Sequence, residues 1–481
     1  MKSKARIYIL LAIILSFCVS SCKDSNNNDT EDPTNSKEIS KTNKWIYEQM
    51  KAYYLWNTDM NHSPNFKETD ARKFLNSLRY RINETEGDRF SYMEEYNENS
   101  SKAGSSSNDL GFEYVPVYID NTKTKVGFIV IYVKDNTNAQ KEGVKRGDII
   151  IKVNDKDIVD NENSSNHYQT ILKDKTSFTF SVYRENTIKE LEISTTPNYK
   201  DNPVFISKVI PLDGGHKIGY LMYNAFEQGD NYEFDIELAN ALTELKTLGI
   251  TDLVVDLRYN LGGYVKSAVN LASALVPSGN KGKIFCKSKY NDVYQAKLIK
   301  DHGEDAALNE RFVETVYKTR TNIPQMNLSR VYFLTGQYTA SASELVINGL
   351  TPYMTVIRIG TTTTGKDKSS IEILPTDKEI HWKLQPLVGR LRNAKDEGNY
   401  ITGLKPTKGF EIDEFDEGFF DLGDSSEPLL ARAIEDITGK QVRSKLRSGT
   451  SDLFFAPIKD ATISLKPERS GLIINSDQSQ D

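Results

Sequence analysis

Thr251-Asp252-Leu253-Val254-Val255-Asp256-Leu257-Arg258-Tyr259-Asn260-Leu261-Gly262-Gly263 opens as a short apolar run and closes on two glycines. The run reads as a buried strand, and the glycines allow the backbone to approach a ligand closely. The pattern repeats outward from it. Lys217–Tyr223, Arg330–Thr335 and Thr355–Gly360 also read as strands. Tyr232–Lys246, Tyr264–Leu275 and Glu344–Leu350 read as helices between them. Alternation of this kind over residues 202–440 predicts an α/β domain whose loops at the strand ends are free to carry a site.

One such loop is Thr339-Ala340-Ser341-Ala342-Ser343-Glu344, where a strand turns into a helix. Another is Gly365-Lys366, after the next strand. A hydroxyl is a weak nucleophile until a base takes its proton. The five histidines, His62, His167, His216, His302 and His381, show neither a triad motif nor metal-ligand spacing. A buried lysine can serve as that base, because burial lowers its pKa. Ser341 and Lys366 are therefore the candidate pair, with Ser343 and Lys368 as competitors. A serine before a helix can also simply cap it, with Glu344 in the first turn. The N–H groups of Gly262 and Gly263, with that of Ala342, are the expected oxyanion donors. Asp256 and Arg258 are read as ordering the glycine loop.

Before residue 202 the periodicity differs. In 43–107 the apolar positions Trp45, Ile46, Met50, Tyr53, Tyr54 and Trp56 recur at helical spacing, and a second helix runs through Ala71–Leu78. The stretch up to Ser107 reads as a polar linker. Residues 108–198 then alternate with period two. Asn138 to Ile158 offers a short helix, a Gly147-Asp148 turn, a strand and an Asn154-Asp155 hairpin tip, and resembles a PDZ domain. Such domains bind peptide C-termini by strand addition, and the resemblance places the carboxylate loop at Leu110-Gly111-Phe112.

The first twenty-two residues carry Lys2, Lys4 and Arg6, an apolar Ile7–Phe17 and then Val19-Ser20-Ser21-Cys22. That is a signal-peptide pattern, too short to span a bilayer of ~30 Å comfortably. Small residues before Cys22 resemble a bacterial lipobox, in which the thiol is acylated. Residues 23–42 have the composition of a tether. The chain is expected in the bacterial cell envelope, lipid-anchored at the outer membrane or a periplasmic face. Cys18 leaves with the signal, so Cys286 has no internal partner and is read as packing. The net charge of −6 offers no basic stripe for nucleic acid. Residues 441–481 are expected to be a loosely held tail.

Asp256-Leu257-Arg258-x-Asn260-x-Gly262-Gly263, Ser341-Ala342-Ser343-Glu344 and Gly365-Lys366, downstream of a PDZ-like segment, resemble the C-terminal-processing (tail-specific) serine peptidases. The likeness covers about Trp45 to Ile437. It implies a multidomain α+β protein: a helical N-terminal segment, a PDZ-like β domain and a crotonase-like α/β (ClpP/crotonase spiral) catalytic domain. It also implies Ser341 as nucleophile, Lys366 as base, no cofactor, no metal, and protein or peptide substrates recognised through their C-termini. Three positions depart from the family pattern. Ser370 stands where a lysine-orienting glutamine is frequent, Asp367 where glycine follows the lysine, and Thr339 where serine is frequent. The charge of Asp367 is expected to raise the Lys366 pKa. These departures motivate the alternative of a catalytically weak peptide- or glycan-binding lipoprotein.

Overall fold

In the computed structural model the chain is described over residues 37–96, 109–212, 214–442, 455–458, 461–465 and 472–474. Asp252–Asp256 is the central strand of a five-stranded sheet. Its order is Thr355–Gly360, Arg330–Thr335, Asp252–Asp256, Lys217–Tyr223 and Val204–Pro211. The first four strands are parallel and the last is antiparallel. Val254 pairs with Tyr332 on one side and Tyr220 on the other. Every residue of the central strand is buried, because both faces are covered. Val255 faces the helices Glu233–Thr247, Val265–Leu275 and Ala342–Leu350. Val254 faces the helix Pro428–Thr438 and strands of the preceding domain.

That preceding domain is the expected PDZ fold. Strands Phe112–Tyr118, Val126–Val133, Ile149–Val153, Ser177–Arg184 and Thr187–Ser194 form one antiparallel sheet, and the short helix Asn138–Lys141 lies where the sequence predicts it. Val115, Val117, Ile129 and Ile131 share a core with Tyr220, Tyr332 and Ile434 of the catalytic domain. Each fully buried side chain of this size contributes about 1.5–3 kcal/mol, so the two domains hold each other firmly. A buried ionic chain reinforces the seam. Glu414 Oε2 accepts from Arg146 Nη2 at 2.7 Å and from Arg258 Nη1 at 3.0 Å, and Arg258 Nη1 also donates to Glu427 Oε1 at 2.7 Å. Asp256 accepts from Arg258 Nε at 3.0 Å. Both residues thus order the loop before Gly262, as the sequence suggests.

Three expectations are corrected. The tether was expected to run to residue 42, but helix begins at Lys37. The stretch after Leu78 is not simply a linker: Tyr92–Glu95 is a strand, antiparallel to Trp382–Gln385 of the catalytic domain. Ile46, Met50, Phe74 and Leu78 pack in one cluster with Leu384 and Leu387, so the helical region is built onto the catalytic domain. The third concerns the tail. Ala456–Pro457 joins the PDZ sheet and Leu472–Ile473 joins a second catalytic sheet, whose order is 263–264, 472–473, 368–370, 387–393, 284–290 and 309–311. Short segments far from their partners in sequence carry no periodic signal. Residues 1–36, with Cys22 and the signal pattern, lie outside the described residues.

Candidate active site

The strand Arg330–Thr335 ends and the helix Ala342–Leu350 begins either side of Ser341. Ser341 sits there at φ +63°, ψ −113°, a backbone conformation that side-chain-bearing residues rarely adopt. Surrounding bonds hold it. Ala340 N–H donates to the Asn260 carbonyl at 3.1 Å, and Thr339 Oγ1 donates to the Leu257 carbonyl at 2.8 Å. Ser341 N–H donates to Glu344 Oε2 at 2.9 Å. Yet Ser341 Oγ is buried with no hydrogen-bond partner. Its neighbour is Gly262, at φ +110°, where an added Cβ would stand 2.5 Å from the Ser341 Cβ. Only glycine lets the two loops come this close.

The Lys366 loop is tied to the Ser341 loop through Glu344. Gly365 N–H donates to Glu344 Oε1 at 2.7 Å, and Lys366 N–H donates to Glu344 Oε2 at 2.8 Å. One carboxylate oxygen therefore holds the backbones of both Ser341 and Lys366. Thr363 Oγ1 donates to the other oxygen. Burial pushes the Glu344 carboxyl up, and these donors hold it back. The Lys366 side chain is buried, and burial lowers its pKa to about 7, against the opposing charges of Asp88 and Glu344. The Phe90 ring centroid lies 5.0 Å from its Nζ. Arg89 Nη2 donates to the carbonyls of Gly365 at 3.0 Å and Ile401 at 2.8 Å, fixing the lysine loop.

The competitors are engaged elsewhere. Ser343 Oγ donates to the Asn260 carbonyl at 3.0 Å. Lys368 Nζ donates to Asp367 Oδ1 at 2.6 Å. The expected effect of Asp367 on Lys366 is corrected: Asp367 pairs with Lys368, and the charges that act on Lys366 are those of Asp88 and Glu344. Ser370 Oγ accepts from Gln385 Nε2 at 2.9 Å. Cys286 is buried, and burial pushes its thiol well up, as suits packing.

Two further expectations change. Gly262 N–H donates to Asn260 Oδ1 at 2.9 Å, so it is not open to an oxyanion. Ala342, in the first turn of its helix, has no intrahelical acceptor for its N–H. In the PDZ loop, Gly111 N–H donates to Asp109 Oδ1 at 2.7 Å, and the Gly111 carbonyl accepts from Lys134 N–H. Phe112 is paired with Val133 in the sheet. A ligand carboxylate would meet Asp109 already holding the Gly111 donor. Sequence reasoning missed Glu344 as a bridge, although its spacing from Ser341 was the available signal. It also missed Asp88, Arg89 and Phe90, which no periodicity marks.

Three family models match successive stretches of the chain: the peptidase S41 N-terminal domain over 41–92, a PDZ domain over 108–195 and peptidase family S41 over 217–384. Among curated proteins, the chain is 24% identical over 292 residues to the carboxy-terminal processing protease CtpB of Bacillus subtilis, covering 57% of each. It is 23% identical over 296 residues to a probable CtpA-like serine protease of Staphylococcus aureus, covering 61% of this chain and 52% of that one. The chain thus spans just over half the length of these relatives. Among solved structures, a Bacteroides fragilis protein assigned by name to the S41 proteases superposes with a TM-score of 0.65 at 26% identity, over 82% of this chain and 97% of that one.

Proposed function

We propose that this chain, which belongs to peptidase family S41, is a serine endopeptidase of the carboxy-terminal processing type. Ser341 Oγ attacks a peptide carbonyl, and Lys366 Nζ takes its proton. The resulting ammonium donates that proton to the leaving amine. Water then attacks the acyl-enzyme, Lys366 takes the water's proton and returns it to Ser341 Oγ as the acid product leaves, which restores the hydroxyl and the neutral amine. Ala342 and Gly263 N–H groups face the developing oxyanion. The observation that carries this reading is Lys366 itself: a buried amine lowered to about 7 is partly neutral at physiological pH, and Glu344 ties it to a serine with a strained backbone and an unpaired hydroxyl.

The envelope location and the lipid anchor at Cys22 rest on the sequence pattern. Cys22→Ser is expected to release the protein from membranes, because acyl chains supply ~0.8 kcal/mol per buried CH₂. Unchanged membrane fractionation would remove the anchor from the proposal. For the chemistry, a fluorophosphonate probe should label the wild-type chain and not Ser341→Ala. Wild-type labelling rates retained by Lys366→Ala would overturn the dyad and favour a hydrolase with a different base, whereas a wild-type chain that takes no label would favour the binding-protein alternative.

A further inference from the structure

Between the two active-site loops lies a third strand, contributed by the chain itself. Leu472–Ile473 runs parallel to Gly263–Tyr264. On its other side Ile473 pairs with Ser370, and Ile474 N–H donates to the Ser370 carbonyl at 3.0 Å. In the sheet order, 472–473 is the only link between 263–264 and 368–370 among the described residues. The slot it fills is bounded by the glycine loop beside Ser341 and by the strand that follows Lys366. With the segment in place, Ser341 and Lys366 are both buried.

The same part of the chain also visits the PDZ sheet. Ala456–Pro457 pairs antiparallel with Val117–Tyr118, and Ser464 Oγ accepts from Tyr114 N–H at 3.1 Å. Ile458 and Ile463 are buried. A cavity of about 910 Å³ joins the two places: Leu110 and Phe112 line it from the PDZ side, Gly262 and Gly263 from the catalytic side, and Ser464 and Ile473 from the segment. An open strand edge is a ready binding site for an extended peptide, with backbone bonds supplying sequence-tolerant affinity.

Resting on the peptidase reading above, we propose that the slot between Gly263–Tyr264 and Lys368–Ser370 is the site for the extended peptide substrate. This chain's own residues 472–474 occupy it as an intramolecular competitor. A tethered strand acts at an effective concentration on the order of millimolar, so even weak intrinsic pairing suffices to compete. A competitor of this kind raises the apparent KM and leaves kcat alone.

The test compares the full chain with Ile474→Pro, which removes the N–H donated to Ser370, and with a truncation after Leu465, which keeps Ile458 and Ile463. Both should lower the KM for fluorescein-labelled casein about threefold to tenfold at unchanged kcat. A second readout needs no catalysis. In the Ser341→Ala background, a labelled synthetic peptide of residues 468–477 should bind both variants tighter by the same factor. Tighter binding without any casein cleavage would uphold the slot and defeat the peptidase reading. Unchanged or weaker peptide binding in both variants, or a fall in kcat with KM constant, would overturn the intramolecular competitor.

Discussion

Two buried lysines in this molecule have opposite fates. Lys134, in the PDZ domain, faces three carboxylates: Asp109 at 2.7 Å, Glu113 at 2.8 Å and Asp201 at 2.7 Å. Burial alone would lower its pKa, but those charges raise it instead. Lys366 is equally buried and is lowered to about 7. The carboxylates near it are committed elsewhere. Glu344 accepts the N–H groups of Ser341, Gly365 and Lys366. Asp88 accepts those of Phe90 and Ser91 and the Tyr54 hydroxyl. Burial is thus outweighed by counter-charge at Lys134, whereas at Lys366 it outweighs the charges of Asp88 and Glu344. The two glycine loops also differ: the N–H and carbonyl of Gly111 are both engaged, whereas beside Gly262 the Ser341 hydroxyl has no hydrogen-bond partner.

The largest effect that can break this contrast is on activity. Ser341→Ala and Lys366→Ala should each lower casein cleavage by about 10³–10⁴-fold or more, while Lys134→Met should leave the chemical step intact in the protein that folds. Ser343→Ala should lose far less than Ser341→Ala, because its hydroxyl already serves Asn260. An inactive Ser343→Ala with an active Ser341→Ala would reverse the assignment.

Next in size is stability. Lys134→Met strands three carboxylates and should destabilise the chain by about 3–5 kcal/mol in denaturant unfolding. Lys366→Met should do the opposite. The folded-state pKa of Lys366 lies near 7, below its ordinary 10.5, so the unfolded chain binds the extra proton between those values. That group's contribution is lost as pH falls through about 7 and returns as pH rises toward 10.5, so Lys366→Met should be the more stable form at neutral pH and below. Equal stability of wild type and Lys366→Met from pH 6 to pH 10 would contradict a depressed lysine.

A smaller effect is on the pH profile. The kcat/KM value should rise with pH around a midpoint of about 7 as Lys366 loses its proton. Asp88→Asn removes a charge that favours the ammonium and should move the midpoint to lower pH. The smallest expected effect is none: Asp367→Gly should leave the midpoint in place, because its carboxylate is paired with Lys368. A shift with Asp367→Gly but not with Asp88→Asn would show that the wrong carboxylate has been assigned to the lysine.

What could be read in the chain depended on how local the signal was. Val254 and its neighbours, Tyr332 and Tyr220, lie in strands whose apolar runs announce burial, and the predicted bounds of 217–223, 330–335 and 355–360 match the structure. Ser341 and Lys366 could be named as candidates because each follows such a strand. Gly262 was legible as a close approach, but the capture of its N–H by Asn260 was not, since side-chain direction follows no periodicity.

The sequence by itself determined the α/β alternation, the PDZ-like stretch and the candidate pair, because each is written in residues near one another along the chain. Only the tertiary structure decided that Asp88, Arg89 and Phe90 wall the lysine, that Glu344 joins the two active-site loops, and that Ile473 lies in the slot between Tyr264 and Ser370. These contacts span up to hundreds of residues of chain, and what selects them is the burial, charge and strand-edge pairing available only after the domains have packed.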